Sequence, residues 1–311
     1  KFSIDGQLIE VSEGTTVLEA ARTADIYIPT LCSHPDLIRL KDIHPADAVF
    51  QGEVKIENTL FTDERKRCGI CIVEIEGVSV PVSSCIAEAK DGMVVITQSD
   101  EIKAKRQENL IPILARHRHA CLTCSQKEGC SKSQCSSNVP EKERCCKQFG
   151  HCELQDIANY IGISDKTPKW IPENNLPIIE NNPLFERDYS LCIGCTRCVQ
   201  ACTELRGVNA LGFVYDNDGK IQVGYLNISP ADSGCKFCTA CVKVCPTGTL
   251  VYKSDYSRKK EDLVPCVKAC PAHIDIPEYL RLIAEKRYDE ANAKVREKVP
   301  FPGILGRVCV H

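Results

Sequence analysis

Aromatic residues are scarce, at 6% of the 311-residue chain, so ring packing alone cannot supply most of the cohesion of its core. No apolar run approaches the roughly 20 residues needed to span a bilayer, and no stretch reads as a secretory signal, so no membrane insertion is expected. Charge is nearly balanced at −3 with no extended basic stripe, which gives no footprint for nucleic acid. The dinucleotide fingerprint GxGxxG is missing, so these residues cannot hold NADPH by that device. No nucleophile–base set emerges either, and no catalytic residue is expected. The chain opens on Lys1 and stops two residues after Cys309, so a longer polypeptide is expected.

What the sequence does have is cysteine, 22 residues of it. Most fall in tight CxxC groups rather than at the wide separations of a disulfide framework, which points to reduced thiolates and a cytosolic compartment. Two runs match each other: Cys192-x2-Cys195-x2-Cys198-x3-Cys202, and Cys235-x2-Cys238-x2-Cys241-x3-Cys245 followed by Pro246. This is the bacterial ferredoxin spacing for two [4Fe–4S] clusters, in which the fourth cysteine of each run serves the other cluster. Three thiolates two residues apart wrap one face of a cubane, and the fourth must arrive from elsewhere. One ligand set is therefore Cys192, Cys195, Cys198 and Cys245; the other is Cys202, Cys235, Cys238 and Cys241. Zinc, which CxxC pairs also bind, is the competing reading. The interior from Leu211 to Ile228, turning at Asp216-Asn217-Asp218-Gly219, is expected to be a hairpin between the runs.

Residues 1–30 read as a small mixed fold: a hairpin about Asp5-Gly6, then a helix capped by Thr15 or Thr16 and carrying Val17, Leu18, Ala21 and Ala24. Downstream, Cys68-x2-Cys71-x13-Cys85 flanks strands expected at Ile70 to Ile75 and Val78 to Val82. With Cys32, these four thiolates suit a [2Fe–2S] rhomb. The stretches Ile28-Pro29-Thr30-Leu31-Cys32, Cys68-Gly69-Ile70-Cys71 through Gly77, and Ser84-Cys85 resemble the amino-terminal ferredoxin domain of the NuoG family, the large iron–sulfur subunit of complex I and its relatives in hydrogenases and formate dehydrogenases. The family usually has about ten residues between its first two cysteines. Here residues 33–67 intervene, with an extra hairpin expected over Val54 to Phe61.

A helix over 99–118, capped by Ser99 and possessing Ile102, Arg106, Leu110, Ile113 and Leu114 near helical spacing, delivers His117-x3-Cys121-x2-Cys124-x5-Cys130. Pro112 is a potential kink. This spacing is similar to the NuoG-family site in which one histidine and three cysteines hold a [4Fe–4S] cluster. A neutral imidazole in place of a thiolate removes negative charge and tends to raise the reduction potential. His119 competes with His117, and the x3 spacing favours His117. Spacing nominates Cys130 as the last ligand, whereas Cys152-Glu153-Leu154-Gln155 has the family's sequence context. Cys130 is taken, with Cys152 as the alternative. The leftover Cys135, Cys145, Cys146 and Cys152 could hold zinc or a further cluster, or be free thiols.

Residues 164–186 form a proline- and asparagine-punctuated connector, expected to be strapped down by Trp170, Ile178, Ile179, Leu184 and Phe185. After Tyr256, Cys266-x3-Cys270-Pro271 opens a helical stretch, with Pro277 in the first turn of one helix, Tyr288 beginning another, and Pro302 to Cys309 at the end. This looks like the entry to the GltD family, the small subunit of glutamate synthase. Two of that family's earlier cysteines are replaced here by Arg258 and Glu261, so Cys266, Cys270 and Cys309 would be an incomplete cluster set needing a ligand from outside these residues.

The resulting expectation is an α+β, multi-domain chain. It comprises a beta-grasp [2Fe–2S] domain (1–98), a His/Cys [4Fe–4S] domain with a cysteine-rich insertion (99–163), the connector, a bacterial-type 2[4Fe–4S] ferredoxin domain (187–256) and the start of a GltD-like helical domain (257–311). A NuoG-like part joined to a GltD-like beginning resembles the iron–sulfur subunit of Stn-type ferredoxin-dependent, electron-bifurcating transhydrogenases. That resemblance implies a hetero-oligomer with flavoprotein subunits (NuoF/HydB-like and NuoE/HydC-like), ferredoxin as a redox partner, and FAD and NADPH held beyond residue 311. The alternatives are an iron–sulfur subunit of a bifurcating hydrogenase or formate dehydrogenase, and a zinc-stapled interaction scaffold.

Overall fold

The computed structural model describes residues 1–37, 43–60, 62, 66–117, 152–168, 176, 178–180, 182, 184–252, 265–284 and 286–309. His119, Cys121, Cys124, Cys130, Cys135, Cys145, Cys146 and Trp170 lie outside them. Asp5 and Gly6 take φ of +49° and +81°, the pair of left-handed residues that a two-residue hairpin demands. They join β1 (Phe2–Ile4) to β2 (Gln7–Ile9). Thr16, not Thr15, then caps α1 (Val17–Thr23): its hydroxyl accepts from the Glu19 N–H while the Glu19 carboxylate accepts from the Thr16 N–H. Val17, Leu18, Ala20 and Ala21 are thereby turned into a core with Phe2, Ile4, Val73 and Val95.

The segment after Cys32 contributes β3 (Ala48–Gln51) and β4 (Val54–Glu57), and the first sheet resumes with β5 (Ile72–Ile75), β6 (Val82–Ser83) and β7 (Val94–Ile96). Its order is β2-β1-β7-β5-β6, with β1 and β7 parallel. The strand expected over Val78 to Val82 shrinks to Val82–Ser83. Gly77 at φ +82° turns the chain first, and Val78 and Val80 face solvent. The helix at 99–118 is α2 (Asp100–Ala115), with the Ser99 hydroxyl accepting from the Ile102 N–H and Pro112 inside it. It packs Leu110 and Leu114 against Leu154, Ile157 and Ile161 of α3 (Glu153–Ile161), and against Leu31 and Ile70.

From the connector, β8 (Ile178–Ile179) pairs with β9 (Phe185–Asp188). Phe185 is buried as expected, whereas Ile178 is exposed and anchors nothing. The chain continues through α4 (Arg197–Gln200), β10 (Leu211–Tyr215), β11 (Ile221–Tyr225), α5 (Ala240–Lys243) and β12 (Leu250–Tyr252), the last closing a three-stranded sheet, β12-β9-β8. The expected hairpin at 216–219 is present, with Asp216 Oδ1 accepting from the N–H groups of Asp218 and Lys220.

The inserted segment does not extend the first sheet. Its hairpin begins earlier than the sequence suggested, turning at Gly52 (φ +67°), and adds to the β10–β11 ribbon in the order β10-β11-β3-β4. Gly224 permits this contact: a Cβ there would stand 2.6 Å from the Phe50 carbonyl oxygen. Among the described residues, the carboxyl end has four helices, α6 (Pro265–Ala269), α7 (Ile276–Ala284), α8 (Tyr288–Arg296) and α9 (Pro302–Val308), of which α7 and α8 pack together. Among the described residues no helix is long and apolar enough to cross a membrane.

Candidate metal centres

Cys32, Cys71 and Cys85 are buried, and Cys68 is partly so. Their thiols lie within interaction reach of one another: Cys68 and Cys85 each meet Cys32, and Cys85 also meets Cys71. The hydrogen bond from Cys85 lowers the Cys71 thiol pKa. The bonds to Cys32, and then burial, raise Cys68 well above its ordinary value, and Cys85 is raised for the same reasons. Gly69 at φ +66° lets the Cys68–Cys71 loop curl, and its carbonyl accepts from Asn109 of α2. Arg67 Nη1 approaches Cys85 Sγ at 3.9 Å. The Ser84 hydroxyl donates to the Cys71 carbonyl at 2.6 Å. Four sulfurs from three loops are thus gathered at one end of the first sheet.

The tandem runs repeat one backbone form. Gly194 and Phe237 have φ of +68° and +49°, and Thr196 and Thr239 have +60° and +61°, each just before a four-residue helix, α4 or α5. Left-handed threonines are disfavoured by about 1 kcal/mol or more, and two at matched positions mark a geometry fixed by the surroundings. Gly194 has a second reason: a Cβ there would meet the Ile221 carbonyl oxygen at 2.8 Å. After the helices the runs diverge. Pro246 ends the second, whereas Thr203 lets the first continue as a π-helical turn, Ala201–Leu205.

The last cysteine of each run lies beside the other run. Burial is the main force raising the thiols of Cys192, Cys195 and Cys198, and nearby Cys245 adds to it in each case. Burial likewise raises Cys202, Cys235 and Cys241, the last to about 12. Those three feel Cys238, and Cys235 and Cys241 feel Cys202. Cys198 and Cys241 neighbour each other where the groups meet. Apolar side chains enclose both: Val199, Phe213, Val223 and Tyr225 on one side, Phe185, Val242 and Leu250 on the other.

His117 is buried just past the end of α2, its N–H donating to the Leu114 carbonyl. The neighbouring Arg116 Nη2 donates to the Ile221 carbonyl at 3.2 Å, tying this end to the β10–β11 ribbon. Cys152 is buried at the start of α3, in the same apolar cluster as Leu114, and its thiol donates to the Pro246 carbonyl at 3.3 Å. Cys266 and Cys309 are exposed and Cys270 is partly buried. Among the described residues, no three His, Cys, Asp or Glu side chains close on a single metal ion.

Two buried arginines were not legible as site residues. Arg197 clasps Glu153 through Nη1 and Nη2 at 2.6 and 2.8 Å, and donates from Nη2 to the Thr30 carbonyl. One side chain therefore joins the approach to Cys32, the helix after Cys152 and the first tandem run. Arg187, from β9, is 2% exposed and faces Cys198 and Cys241. Among the described residues, its Nε and Nη2 are buried without a hydrogen-bond acceptor. Orphaned donors against a wall of thiols fit an anionic sulfur-bearing group better than an empty thiol nest. An arginine in a connector strand gives no motif; only its place in the fold singles it out.

Comparison with known proteins matches residues 1–39 and 47–100 to the 2Fe-2S iron-sulfur cluster binding domain family. Residues 191–249 match the 4Fe-4S dicluster domain family, and residues 259–311 the family described as dihydropyrimidine dehydrogenase domain II, 4Fe-4S cluster. Among curated proteins, the chain is 31% identical over 252 residues to the NADPH-Fe(3+) oxidoreductase subunit alpha of Geobacter sulfurreducens, covering 81% of this chain and 24% of that protein. It is 31% identical to the NADP-reducing hydrogenase subunit HndD of Solidesulfovibrio fructosivorans (80% and 35% covered). It is 30% identical to a subunit of the NADH-quinone oxidoreductase of Rhizobium meliloti (87% and 26% covered). The chain spans about a quarter to a third of the length of these relatives. A chain of an NAD+-reducing [NiFe]-hydrogenase, solved in the H2-reduced state, shares the fold, with a TM-score of 0.58 at 23% identity over 84% of this chain and 90% of that one. The chain thus contains a 2Fe-2S cluster domain followed by 4Fe-4S ferredoxin-like domains, and is similar to iron–sulfur subunits of NAD(P)H-linked oxidoreductase complexes.

Proposed function

We propose that this chain is the electron relay of a cytosolic NADPH-linked oxidoreductase, wiring a flavoprotein core to a GltD-like FAD and NADPH module as in an electron-bifurcating transhydrogenase. The observation that most supports the relay is the placement of Cys245 beside the first run and of Cys202 beside the second. Iron–sulfur clusters, when bound, accept and release single electrons without a change of ligands. The residues then have three tasks: to bind, to exclude water and to fix separation. Cys32, Cys68, Cys71 and Cys85 would hold the [2Fe–2S] group. Cys192, Cys195, Cys198 and Cys245 would hold one [4Fe–4S] group, and Cys202, Cys235, Cys238 and Cys241 its neighbour. His117, Cys121 and Cys124 would hold a third with Cys130; Cys152 is the alternative, and its sharing of one apolar cluster with Leu114 supports it.

Val199, Phe213 and Tyr225 keep water from the tandem sites, and Leu31 and Ile70 do so beside Cys32 and Cys68. The bond from Arg197 to Thr30 sets the spacing between the first thiol quartet and the first run. The GltD-like reading of residues 257–311 draws support from the match of 259–311 to a 4Fe-4S family. The second reading, a relay in a hydrogenase, is favoured by the similarity to HndD. Metal analysis of anaerobically purified protein tests the proposal. The secure sites require about 14 irons with matching labile sulfide and visible absorption that bleaches with dithionite. Colourless, zinc-rich protein would establish the scaffold reading instead. Separate Cys130→Ser and Cys152→Ser variants identify the ligand beside His117 by which one disturbs that centre.

A further inference from the structure

Residues two apart on a strand share a face, and β9 sends Phe185 and Arg187 together into the interior, 1% and 2% exposed. Arg187 is paired with Leu250 of β12 on one side and Ile179 of β8 on the other, so its backbone is fixed in the centre of the sheet. Its guanidinium carbon lies 5.5 Å from the ring centroid of Tyr189 and 5.1 Å from that of Tyr225. Tyr225 itself packs with Cys192, Cys198, Cys235 and Cys241, while Phe185 and Leu250 pack with Cys198, Cys241 and Cys245. The cation therefore stands where the walls of the two thiol groups meet.

A charge so placed needs a counter-charge. The attraction of two aromatic faces is weaker than the desolvation of a full charge. Among the described residues no carboxylate forms an ion pair with Arg187, and its Nε and Nη2 have no acceptor. The counter-charge at hand is sulfur, and it belongs to both runs.

We propose that Arg187 sets the reduction potentials of the two tandem centres together. This rests on the reading of those runs as [4Fe–4S] ligands. Its fixed charge near Cys198 and Cys241 favours the electron-richer form of each centre. Each centre gains one electron from a reduced flavin, or from dithionite in the test. No bond or proton changes at Arg187, which positions charge and does not react.

The test is a redox titration of the full cluster-loaded protein followed by electron paramagnetic resonance, with the tandem centres identified by their magnetic coupling to each other. In Arg187→Met, iron content is expected to hold while the reduction equilibrium of both tandem centres falls at least tenfold, about 59 mV for one electron. The [2Fe–2S] centre should not move, and Arg187→Lys, which keeps the charge, should recover most of the shift. Tandem potentials unchanged in an iron-replete Arg187→Met protein would overturn the role of Arg187 alone. Wild-type protein without tandem iron–sulfur signals would overturn the cluster reading as well. Should Arg187→Met not load iron, pulsed resonance on wild type grown with 15N-arginine decides. A nitrogen coupling to the reduced tandem centres that vanishes in Arg187→Lys supports the role, and its absence overturns it.

Discussion

Arg197 and Arg187 are both fully buried cations beside the tandem runs, yet they are held in opposite ways. Arg197 has both terminal nitrogens engaged by protein, with two contacts to Glu153 and one to a carbonyl, and among the described residues only its Nε lacks an acceptor. Arg187 has two aromatic rings and, among the described residues, no acceptor for Nε or Nη2. The first has its charge paired by a carboxylate within the polypeptide and serves to hold three segments together. The second is incomplete until something anionic adjoins it. Buried charge can thus be a fastener or a source of field, and whether a carboxylate pairs it tells which.

The comparison breaks most severely at Glu153. Glu153→Ala leaves Arg197 buried with its countercharge gone, and about 3 kcal/mol of stability should be lost. Glu153 is 43% exposed, which places the loss at the low end for a buried pair. Anaerobic urea unfolding of the cluster-loaded protein measures it, and a change below about 1 kcal/mol would show that Arg197 is not held by this partner. Gly224→Ala sharpens the contrast from the other side. It forces a methyl against the Phe50 carbonyl next to Tyr225, the ring over Arg187. A loss of about 2 kcal/mol is expected, with Arg197 undisturbed; unchanged stability would mean that β3 is not seated as described. The smallest effect should come from Thr16→Ala, remote from both arginines. Losing its capping box is expected to cost about 1 kcal/mol and to leave every cluster signal in place.

Cysteine spacing nominated most of the candidate site, because ligand geometry acts over two to four residues and is written locally. Asp5-Gly6, Thr16 and Ser99 were readable for the same reason, each solving a backbone problem within its own turn. The β3–β4 hairpin was only half legible: a hairpin was expected over Val54 to Phe61, but nothing near Val54 indicates that it starts at Ala48 or that its partner is β11. Nor could spacing reveal Arg187, whose neighbours arrive from β11, β12 and the two cysteine runs. The choice between Cys130 and Cys152 stays with experiment, since Cys130 lies outside the described residues.

The hairpin between Cys32 and Cys68 imposes an order on biogenesis. Gln51 donates to the Val223 carbonyl, 172 residues further on, and Phe50 is paired with Tyr225. A ribosome must therefore finish the tandem region before the stretch linking the first two cysteines can settle into its slot. Contacts so distant along the chain form late. Cys32 and Cys68, though made first, are therefore joined by a stretch that docks only once a ribbon encoded far downstream is in place.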